Sequence, residues 1–502
     1  MFEDITTDVS LLLAVVLFLI TWIYMNIRRP TGMPPGPTTY PIIGNVSIFL
    51  GKTPPQKIFR GMTKKYGPII SFKVGPSWAV VINNYELTQE ALLTKPNDFS
   101  GRPNLYMVDW FSDNQKNIVF AQPTPTWKFH RKLAHTAIRK YATGQYLENL
   151  IDEITPRLQA VMTQKAGTPF DPREVVTLAV YNAIASMCFG HKYEFNDTEL
   201  IRFIELQKEI NEAFGNGTLA DFIPLARFLP SPQVNRFKKT SIEFFDLIKK
   251  EVSQHLERYS PDEPANDLIE LLLQAQGEES EGSEDHACKL TDVHIKQIVA
   301  DLFFAGTDTS STTLLWAIAC IVDNPTVQEN IKTELDEVIG HRPLRLSDRG
   351  KLPYTEAAIM EVMRFGTVVP LGVTHRALKD SSIGSYKIPE NTWVLINQWA
   401  LHMDPEYWDA PEVFLPERFL DSSNSVKQRL PSFLPFSTGR RVCVGESLAK
   451  AEIFLIFTWL IQNYKFSKPP GEEGPAAVSG IPQALNFTKP FQVVATLRND
   501  IN

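Results

Sequence analysis

The segment from Phe436 to Gly445 reads Phe-Ser-Thr-Gly-Arg-Arg-Val-Cys-Val-Gly and holds one cysteine, Cys443, between two glycines. An apolar run that predicts a helix, Ser447 to Leu460, begins just after it. A cysteine sulfur at the start of a helix faces backbone N–H groups that stabilise its anion. Gly439 and Gly445 permit a tight turn and let the backbone approach a flat, bulky group.

Arg441 can pair with a carboxylate on that same group. An anionic sulfur, space for a planar molecule and a carboxylate clamp together describe haem held by a cysteine thiolate. A lone cysteine is more often a small buried hydrophobic residue, but the flanking glycines and arginines argue against that interpretation. The pattern Phe436-x-x-Gly439-x-Arg441-x-Cys443-x-Gly445 resembles the haem-binding signature of the cytochrome P-450 superfamily.

The resemblance extends over nearly the whole chain and implies a mainly α fold with small β-sheets, of the α+β class. It implies haem b (iron-protoporphyrin IX) as the cofactor and Cys443 as the metal ligand. It also implies that Phe436, Gly439, Arg441 and Gly445 surround the cofactor.

The composition is that of a globular protein. The 502 residues carry a net charge of −7, and 43% are hydrophobic and 21% charged. The negative charge argues against a nucleic-acid binder, whose affinity comes from neutralising phosphates. The four cysteines show no CxxC spacing and no disulfide framework, which favours a reducing compartment. With no internal repeat or long linker, we expect one catalytic unit with a short N-terminal appendage.

The N-terminal appendage reads as a membrane anchor. Val9 to Met25 is almost wholly apolar, acidic residues precede it, and Arg28 and Arg29 follow it. This pattern predicts a single transmembrane helix with the rest of the chain in the cytosol. The prolines of Pro34 to Pro37 predict a stiff spacer. We therefore divide the chain into an anchor (1–29), a proline-rich hinge (30–50) and a haem-thiolate catalytic domain (51–502), which by resemblance sits on the endoplasmic reticulum.

Two stretches in the first half of the chain predict local structure. Alternating β-branched residues from Ile69 to Ile82 predict a hairpin around Gly75-Pro76. The unusually apolar joint from Leu219 to Pro232 predicts either core or a lid that dips into the membrane, and we favour the lid.

Trp127 and Arg131 are four residues apart, on one face of a predicted helix. An indole N–H and a guanidinium are both donors, suited to one propionate. An amphipathic helix with a surface arginine is the simpler alternative. In the family that the chain resembles, residues at this spacing hold a haem propionate, and Arg102 and His375 resemble further propionate partners.

Basic residues follow on the same helical stretch: Lys128, Lys132, Arg139 and Lys140. Such a run is usually a solvated face. In a protein of negative net charge it also suits the docking of an acidic redox partner.

Thr291 to Val322 predicts one long helix whose middle contains Ala305, Gly306, Asp308 and Thr309. A glycine inside a helix costs about 1 kcal/mol, and one reason to keep it is to open the helix for a small ligand. Thr309 can donate to the Ala305 carbonyl. Asp308 beside Thr309 suits a proton relay. An ordinary core helix is the alternative. The resemblance makes Thr309 and Asp308 the catalytic pair.

The remaining predictions concern the pocket and the frame. Glu361 and Arg364 share a helical face, and with Arg418 they resemble the structural Glu-Arg-Arg network of the family. The resemblance implies that Gln207, Phe303 and Ala305 face the substrate. Further predicted pocket residues lie on two later segments of the chain: Val368, Val369, Leu371, Val373 and Ile481.

The leading hypothesis is a microsomal monooxygenase that inserts one oxygen atom of O2 into a lipophilic, steroid-like substrate. Lys379 to Gly384, Gln398 to Met403 and Gly480 to Pro482 resemble the steroid 17α-hydroxylase/17,20-lyase branch. Ser100 to Pro103 is shared with the aryl-hydrocarbon hydroxylases. A hydroxylase of aromatic xenobiotics or fatty acids, a haem-thiolate isomerase and a non-catalytic haem binder are the alternatives. No Gly-x-Gly-x-x-Gly follows a strand, so electrons from NADPH would arrive through a separate reductase, with cytochrome b5 as a candidate helper.

Overall fold

The computed structural model describes scattered residues between 13 and 24, and residues 26–143, 145–282, 289–480 and 484–498. Most of the predicted anchor (1–29) lies outside these residues. No helix within the described ranges is long and apolar enough to cross a bilayer.

The fold is mainly helical, as the sequence predicts. The helices are α1 (Ser47–Leu50), α2 (Pro55–Tyr66), α3 (Tyr85–Gln89), α4 (Tyr106–Phe111), α5 (Pro125–Thr143), α6 (Gln145–Lys165), α7 (Arg173–Phe189), α8 (Thr198–Asn216), α9 (Leu219–Phe222), α10 (Pro232–Arg258), α11 (Leu268–Gly282), α12 (Asp292–Asp323), α13 (Pro325–Val338), α14 (Pro353–Gly366), α15 (Gln398–His402) and α16 (Glu446–Asn463). Short 3-10 turns cover Pro224–Phe228, Leu346–Lys351, Pro416–Phe419 and Gly439–Arg441, and a π-helical turn covers Glu90–Thr94.

In the part of the chain that the structure describes, the strands are short and form three small sheets. They are β1 (Ile69–Val74), β2 (Ser77–Ile82), β3 (Pro169–Phe170), β4 (His375–Arg376), β5 (Ser381–Ile383), β6 (Tyr386–Ile388), β7 (Trp393–Ile396), β8 (Tyr464–Ser467) and β9 (Val493–Leu497). The sheets have the orders β1-β2-β7-β4, β3-β9-β8 and β5-β6. The predicted hairpin is confirmed, because β1 and β2 pair antiparallel and Ile69 lies opposite Ile82.

Helix α12 runs through the core. It begins after Thr291 and ends at Asp323, close to the predicted bounds, and most of its side chains from Ile295 to Val322 are buried. A helix that is apolar on all sides needs neighbours all round. Here α7, α10, α14 and α16 pack against it, so any group carried by α12 can reach a cavity only where these neighbours leave a gap.

The proline-rich segment is bound to the first sheet. The Ser71 N–H donates to the Pro35 carbonyl at 2.9 Å, and the Ser71 hydroxyl donates to the Pro34 carbonyl at 2.6 Å. A side chain at Gly36 would place its Cβ 1.8 Å from the Ser71 carbonyl oxygen. The predicted spacer thus lies along β1, and its separation from residues 51–502 stays a prediction.

Candidate functional site

The cysteine loop is shaped by one glycine and one helix start. Gly439 has φ +76°, and a Cβ there would lie 2.2 Å from the Leu92 carbonyl oxygen, so only glycine fits. The Cys443 N–H donates to the Phe436 carbonyl at 3.0 Å. Gly445 has an ordinary φ of −90° and directly precedes α16, so its importance lies in its N–H beside the sulfur rather than in conformational freedom.

The Cys443 side chain lines a cavity, and opposing effects act on the pKa of its thiol. Burial raises the pKa of the Cys443 thiol above its usual value, and the Glu446 carboxylate adds to this. The backbone N–H groups of Gly445 and Glu446, and the Arg131 guanidinium, favour the anion. The predicted stabilisation of the Cys443 thiolate by N–H groups at the helix start is present, but burial has the larger effect on the pKa.

Three arginines converge beside this cysteine without a carboxylate. Arg102 donates to the Val373 carbonyl at 2.6 Å and the Thr374 carbonyl at 2.9 Å. Arg441 donates to the Ser100 and Ala121 carbonyls at 2.9 and 2.6 Å. The third, Arg131, donates to the Val442 carbonyl. Within the described ranges, none of the three forms an ion pair.

The mutual repulsion of these arginines is unrelieved. Burial, with the nearby Arg131 charge, lowers the pKa of Arg102 to about 9. Burial, with the charges of Arg102 and Arg131, lowers the pKa of Arg441 to about 8. The Nη1 atom of Arg441 is buried and has no hydrogen-bond partner among the described residues. Such a cluster is suited to a buried anion.

Trp127 joins the cluster by its ring rather than by its N–H. The Arg441 guanidinium lies 4.0 Å from the centre of the indole, and the Arg131 guanidinium lies 5.7 Å from it. The indole N–H donates to the Ile118 carbonyl at 2.9 Å. The neighbouring loop thus already accepts this hydrogen bond, and donation of the indole N–H to a propionate stays a prediction.

His375 lies at the edge of the same cluster. Its Nδ1 donates to the Phe99 carbonyl at 2.8 Å. Burial and the Arg102 charge hold the pKa of His375 well below its usual value. The ring is therefore neutral, with Nδ1 carrying the proton.

The cavity that these residues share has a volume of about 270 Å³. An apolar cleft with a cysteine sulfur on one wall and three uncompensated guanidiniums at its edge matches haem, which is planar and carries two propionates. The residues present therefore fit the cofactor. Phe436, Gly445 and the predicted wall residues Ala305, Val368, Val369 and Val373 also line this cavity.

On α12, Thr309 lines the cavity and its hydroxyl donates to the Ala305 carbonyl at 2.7 Å, as predicted. Gly306 serves close helix packing: a Cβ there would lie 3.1 Å from Cδ1 of Ile184 on α7. Close packing against α7 is thus a second reason for glycine at this position, besides the predicted opening for a small ligand.

Asp308 faces away from the cavity. Its carboxylate accepts from the Tyr181 hydroxyl at 2.9 Å and from the Asn211 side-chain amide. Burial raises the pKa of Asp308 to about 6, against the lowering effect of these donors. Asp308 and Thr309 are adjacent in sequence but, on a helix, project about 100° apart, which is why only Thr309 reaches the cavity.

Three predicted pocket residues lie elsewhere. Phe303 is fully buried between Phe189 and Phe203, with ring centres 5.3 and 4.8 Å away, so it belongs to the aromatic core. The Gln207 amide donates to the Phe304 carbonyl and the Thr307 hydroxyl, both at 2.7 Å.

Leu371 packs against the apolar cluster around β1 and β2 instead of the cavity. These three placements correct the predictions, because a helix or turn presents only part of its residues to one side. Ile481 lies outside the described residues.

Two carboxylates at the cavity were missed by sequence reasoning. Asp301 accepts from the Asn117 amide and from the N–H groups of Ile118 and Val119, at 2.9, 2.7 and 3.1 Å. Glu452 lies on α16. Each is an acid inside an otherwise apolar helical run, and that signal could have identified them.

The Glu-Arg-Arg residues form the predicted buried network. Arg364 Nε lies 2.6 Å from Glu361 Oε2, and Arg418 Nε lies 3.1 Å from Glu361 Oε1. Glu361 also accepts from the Leu415 N–H at 2.8 Å. The network ties α14 to the 410–419 segment.

Comparisons with known proteins agree with this geometry. The cytochrome P-450 family matches residues 34–495 of this chain. A steroid 17-alpha-hydroxylase/17,20 lyase of Rana dybowskii is 37% identical over 94% of this chain and 91% of its own length. Human cytochrome P-450 1A1 is 34% identical over 92% of each chain. A zebra fish cytochrome P-450 solved with progesterone superimposes with a TM-score of 0.80 at 34% identity, covering 88% of this chain and all of its own.

Proposed function

Since the chain belongs to the cytochrome P-450 family, and is therefore a haem-thiolate monooxygenase, we propose that its preferred substrates are steroid-like. The relatives support this preference, because two of those compared are named for a steroid reaction or were solved with a steroid. The apolar walls formed by Ala305, Val368, Val369 and Val373 suit a lipophilic ring system.

The observation that carries the assignment is the cavity with Cys443 on one wall and Arg102, Arg131 and Arg441 at its edge. The haem, when bound there, activates O2 with electrons received from a partner. Cys443 would hold the iron, and the three arginines would receive the propionates and so relieve their mutual repulsion. This arrangement couples cofactor binding to the stability of the loop that carries the sulfur.

Thr309 would hold a proton at the cavity side of α12. Its hydroxyl is already fixed by the Ala305 carbonyl, so its oxygen stays directed at the cavity and can accept a hydrogen bond there. Asp308 would exchange protons with the Tyr181 and Asn211 side rather than with the cavity directly. The apolar walls would exclude bulk water from the reacting centre.

An exposed apolar surface supports a membrane location. We name it the apolar surface: Leu219, Leu225, Phe228 and Leu229, together with Tyr40, Ile42 and Ile43, all exposed. Gly75 joins the two groups, since it lies against the Phe222 backbone and its N–H donates to the Ile43 carbonyl. A continuous patch of this kind fits a bilayer surface, in agreement with the lid prediction and an endoplasmic reticulum membrane.

A basic face supports docking of the electron donor. Lys128, Lys132, Arg139 and Lys140 are exposed on α5, the helix whose Arg131 contacts the cysteine loop. An acidic partner bound there would lie close to the sulfur side of the cavity. We propose NADPH–cytochrome P-450 reductase as this partner, with cytochrome b5 as a second.

The test is reconstitution of the full chain with haem, reductase and NADPH. Progesterone should shift the haem absorbance and yield a hydroxylated product, whereas a polycyclic aromatic hydrocarbon or a fatty acid should give smaller shifts. Cys443→Ala should abolish the thiolate absorbance with carbon monoxide. A hydrocarbon or fatty acid turned over faster than any steroid would overturn the substrate proposal.

A further inference from the structure

A side-chain amide on the wall of the cavity has no hydrogen-bond partner in the part of the chain that the structure describes. Gln398 lines the cavity together with Val369 and Val373, and it is 3% exposed. Neither the oxygen nor the nitrogen of its amide hydrogen-bonds to a described residue. Burial of an amide without a partner is unfavourable. This side chain is therefore suited to a ligand that supplies the missing hydrogen bond.

The main chain on both sides of Gln398 is held in place. The preceding residue, Asn397, donates through its side-chain amide to Oδ1 of Asn83 at 2.8 Å. The following residue, Trp399, donates its N–H to the Pro370 carbonyl at 3.1 Å. These bonds fix the start of α15 between the end of β2 and the turn that contains Pro370. The Gln398 amide is thus positioned before a ligand arrives.

The neighbouring turn leaves space for this amide. Gly372 has φ +59°, and a Cβ at this position would lie 3.1 Å from Nε2 of Gln398. A hydrogen bond from the Gly372 N–H to the Val369 carbonyl, at 3.1 Å, closes the turn. A larger residue would strain this backbone and crowd the amide. The glycine therefore leaves the amide uncrowded beside the valines of the wall.

Several other polar side chains at the cavity are already engaged. The hydroxyls of Thr309 and Thr313 donate to backbone carbonyls of their own helix, at 2.7 and 2.8 Å. The Asp301 carboxylate accepts three hydrogen bonds from residues 117–119. The three arginines are cationic and suit the propionates. Gln398 instead offers a neutral amide that can recognise an uncharged oxygen.

We propose that Gln398 determines specificity by donating a hydrogen bond to a ketone oxygen at one end of a lipophilic ring substrate. The amide nitrogen would donate to that oxygen, and Val369 and Val373 would contact the ring carbons. A substrate without the oxygen leaves the buried amide unpaired and is disfavoured for that reason. This role rests on the proposed steroid-like preference, and it adds the polar group that the pocket selects.

The test compares matched ligands by spectral titration of the haem-loaded full chain. Progesterone carries a ketone at each end, and two analogues that each lack one ketone are the matched ligands. Gln398→Leu removes the amide and keeps the approximate size, so it should weaken progesterone binding roughly 10-fold. The same variant should not weaken binding of the analogue that lacks the recognised ketone. Gln428→Leu, the same change at an exposed position, should bind all three ligands as the wild type does.

A merely structural role of Gln398 gives a different pattern. In that case Gln398→Leu changes the binding of all three steroids by the same factor, and this result would overturn the proposal. A contact with the cofactor is distinguished by haem transfer to apomyoglobin. Equal transfer rates from wild type and Gln398→Leu are expected, and faster transfer from the variant would assign the amide to a propionate instead.

Two further arms keep the test decisive. Should Gln398→Leu fail to fold, Gln398→Asn, which withdraws the amide by one methylene group, is compared with the same three steroids. Should no steroid bind, a polycyclic aromatic hydrocarbon and its ketone replace them. Selective weakening of the ketone in that pair would support the role of Gln398 and overturn the steroid preference, whereas equal effects on both would reject the role as well.

Discussion

The guanidinium of Arg441 lies 4.0 Å from the centre of the Trp127 ring, and its buried Nη1 has no hydrogen-bond partner among the described residues. The ring fixes the guanidinium plane through a cation–π contact. The cysteine loop and α5 are thereby joined around a charge that lacks an anion. This relationship makes Arg441 the most direct reporter of cofactor binding.

Arg441→Ala should weaken haem retention. Loss of a hydrogen bond between charged groups costs about 2 kcal/mol, or roughly 30-fold in affinity. We expect correspondingly faster transfer of haem to apomyoglobin. Arg440→Ala is the matched control, because Arg440 is the exposed neighbour. Equal transfer rates in both variants would contradict the propionate role.

Thr309→Ala should uncouple electron use from product formation. The change removes the hydroxyl that is held at the cavity by Ala305. We expect more peroxide per NADPH and at least about 10-fold less product, with substrate binding unchanged. Thr309→Ser keeps the hydroxyl and should retain most of the coupling. A fully coupled Thr309→Ala variant would remove this residue from proton transfer.

The raised pKa of Asp308 should appear in the pH dependence of stability. Because burial raises the pKa of this carboxyl in the folded state to about 6, the folded state binds more protons than the unfolded state between about pH 4 and 6. Its contribution to the free energy of unfolding is therefore full below this window and falls as pH rises through it.

Asp308→Asn should remove that pH dependence. The difference in unfolding free energy between wild type and variant should change between about pH 4 and 7, in favour of the variant at the higher pH. Between these two pH values, the difference in unfolding free energy should change by at most about 3 kcal/mol. Denaturant unfolding at the two pH values measures it, and a constant difference would show that Asp308 ionises normally.

Arg364→Ala should be severely destabilising. Arg364 and Glu361 are fully buried and paired, and breaking such a pair costs about 3–5 kcal/mol. Arg418→Ala should lower the free energy of unfolding by less, because Glu361 stays paired with Arg364 in that variant. Arg429→Ala, at an exposed arginine, should be close to neutral. Equal costs for Arg364→Ala and Arg429→Ala in thermal unfolding would show that the network is not structural.

The apolar surface should enter lipid. Leu225 and Phe228 are 78% and 85% exposed. In the full chain bound to vesicles, a tryptophan introduced as Phe228→Trp should emit at shorter wavelength and be quenched by brominated lipid. Leu256→Trp, at an exposed position on α10, should not respond. Quenching at both positions or at neither would contradict a specific membrane face.

The amino-acid sequence by itself determined the features whose role depends on short spacing. The glycine–arginine–cysteine pattern, the β1–β2 hairpin, the bounds of α12 and the Thr309–Ala305 hydrogen bond all depend on neighbours a few residues apart. Backbone geometry restricts such neighbours strongly, so their relation can be read from the chain. The family could be assigned for the same reason, because its signature around Cys443 occupies only ten consecutive residues, Phe436 to Gly445.

Only the tertiary structure determined the direction of each side chain and the residues that it contacts. It placed Phe303 in the aromatic core, directed Asp308 towards Tyr181, engaged the Trp127 N–H with Ile118, and brought Asp301 and Glu452 to the cavity. These outcomes depend on which helix or loop packs against which, and most of them on contacts between residues that are far apart in the chain. A local pattern can single out an unusual residue, such as an acid in an apolar helix, but it does not specify the contacts of that residue, because the energy that selects them comes from burial across the whole core.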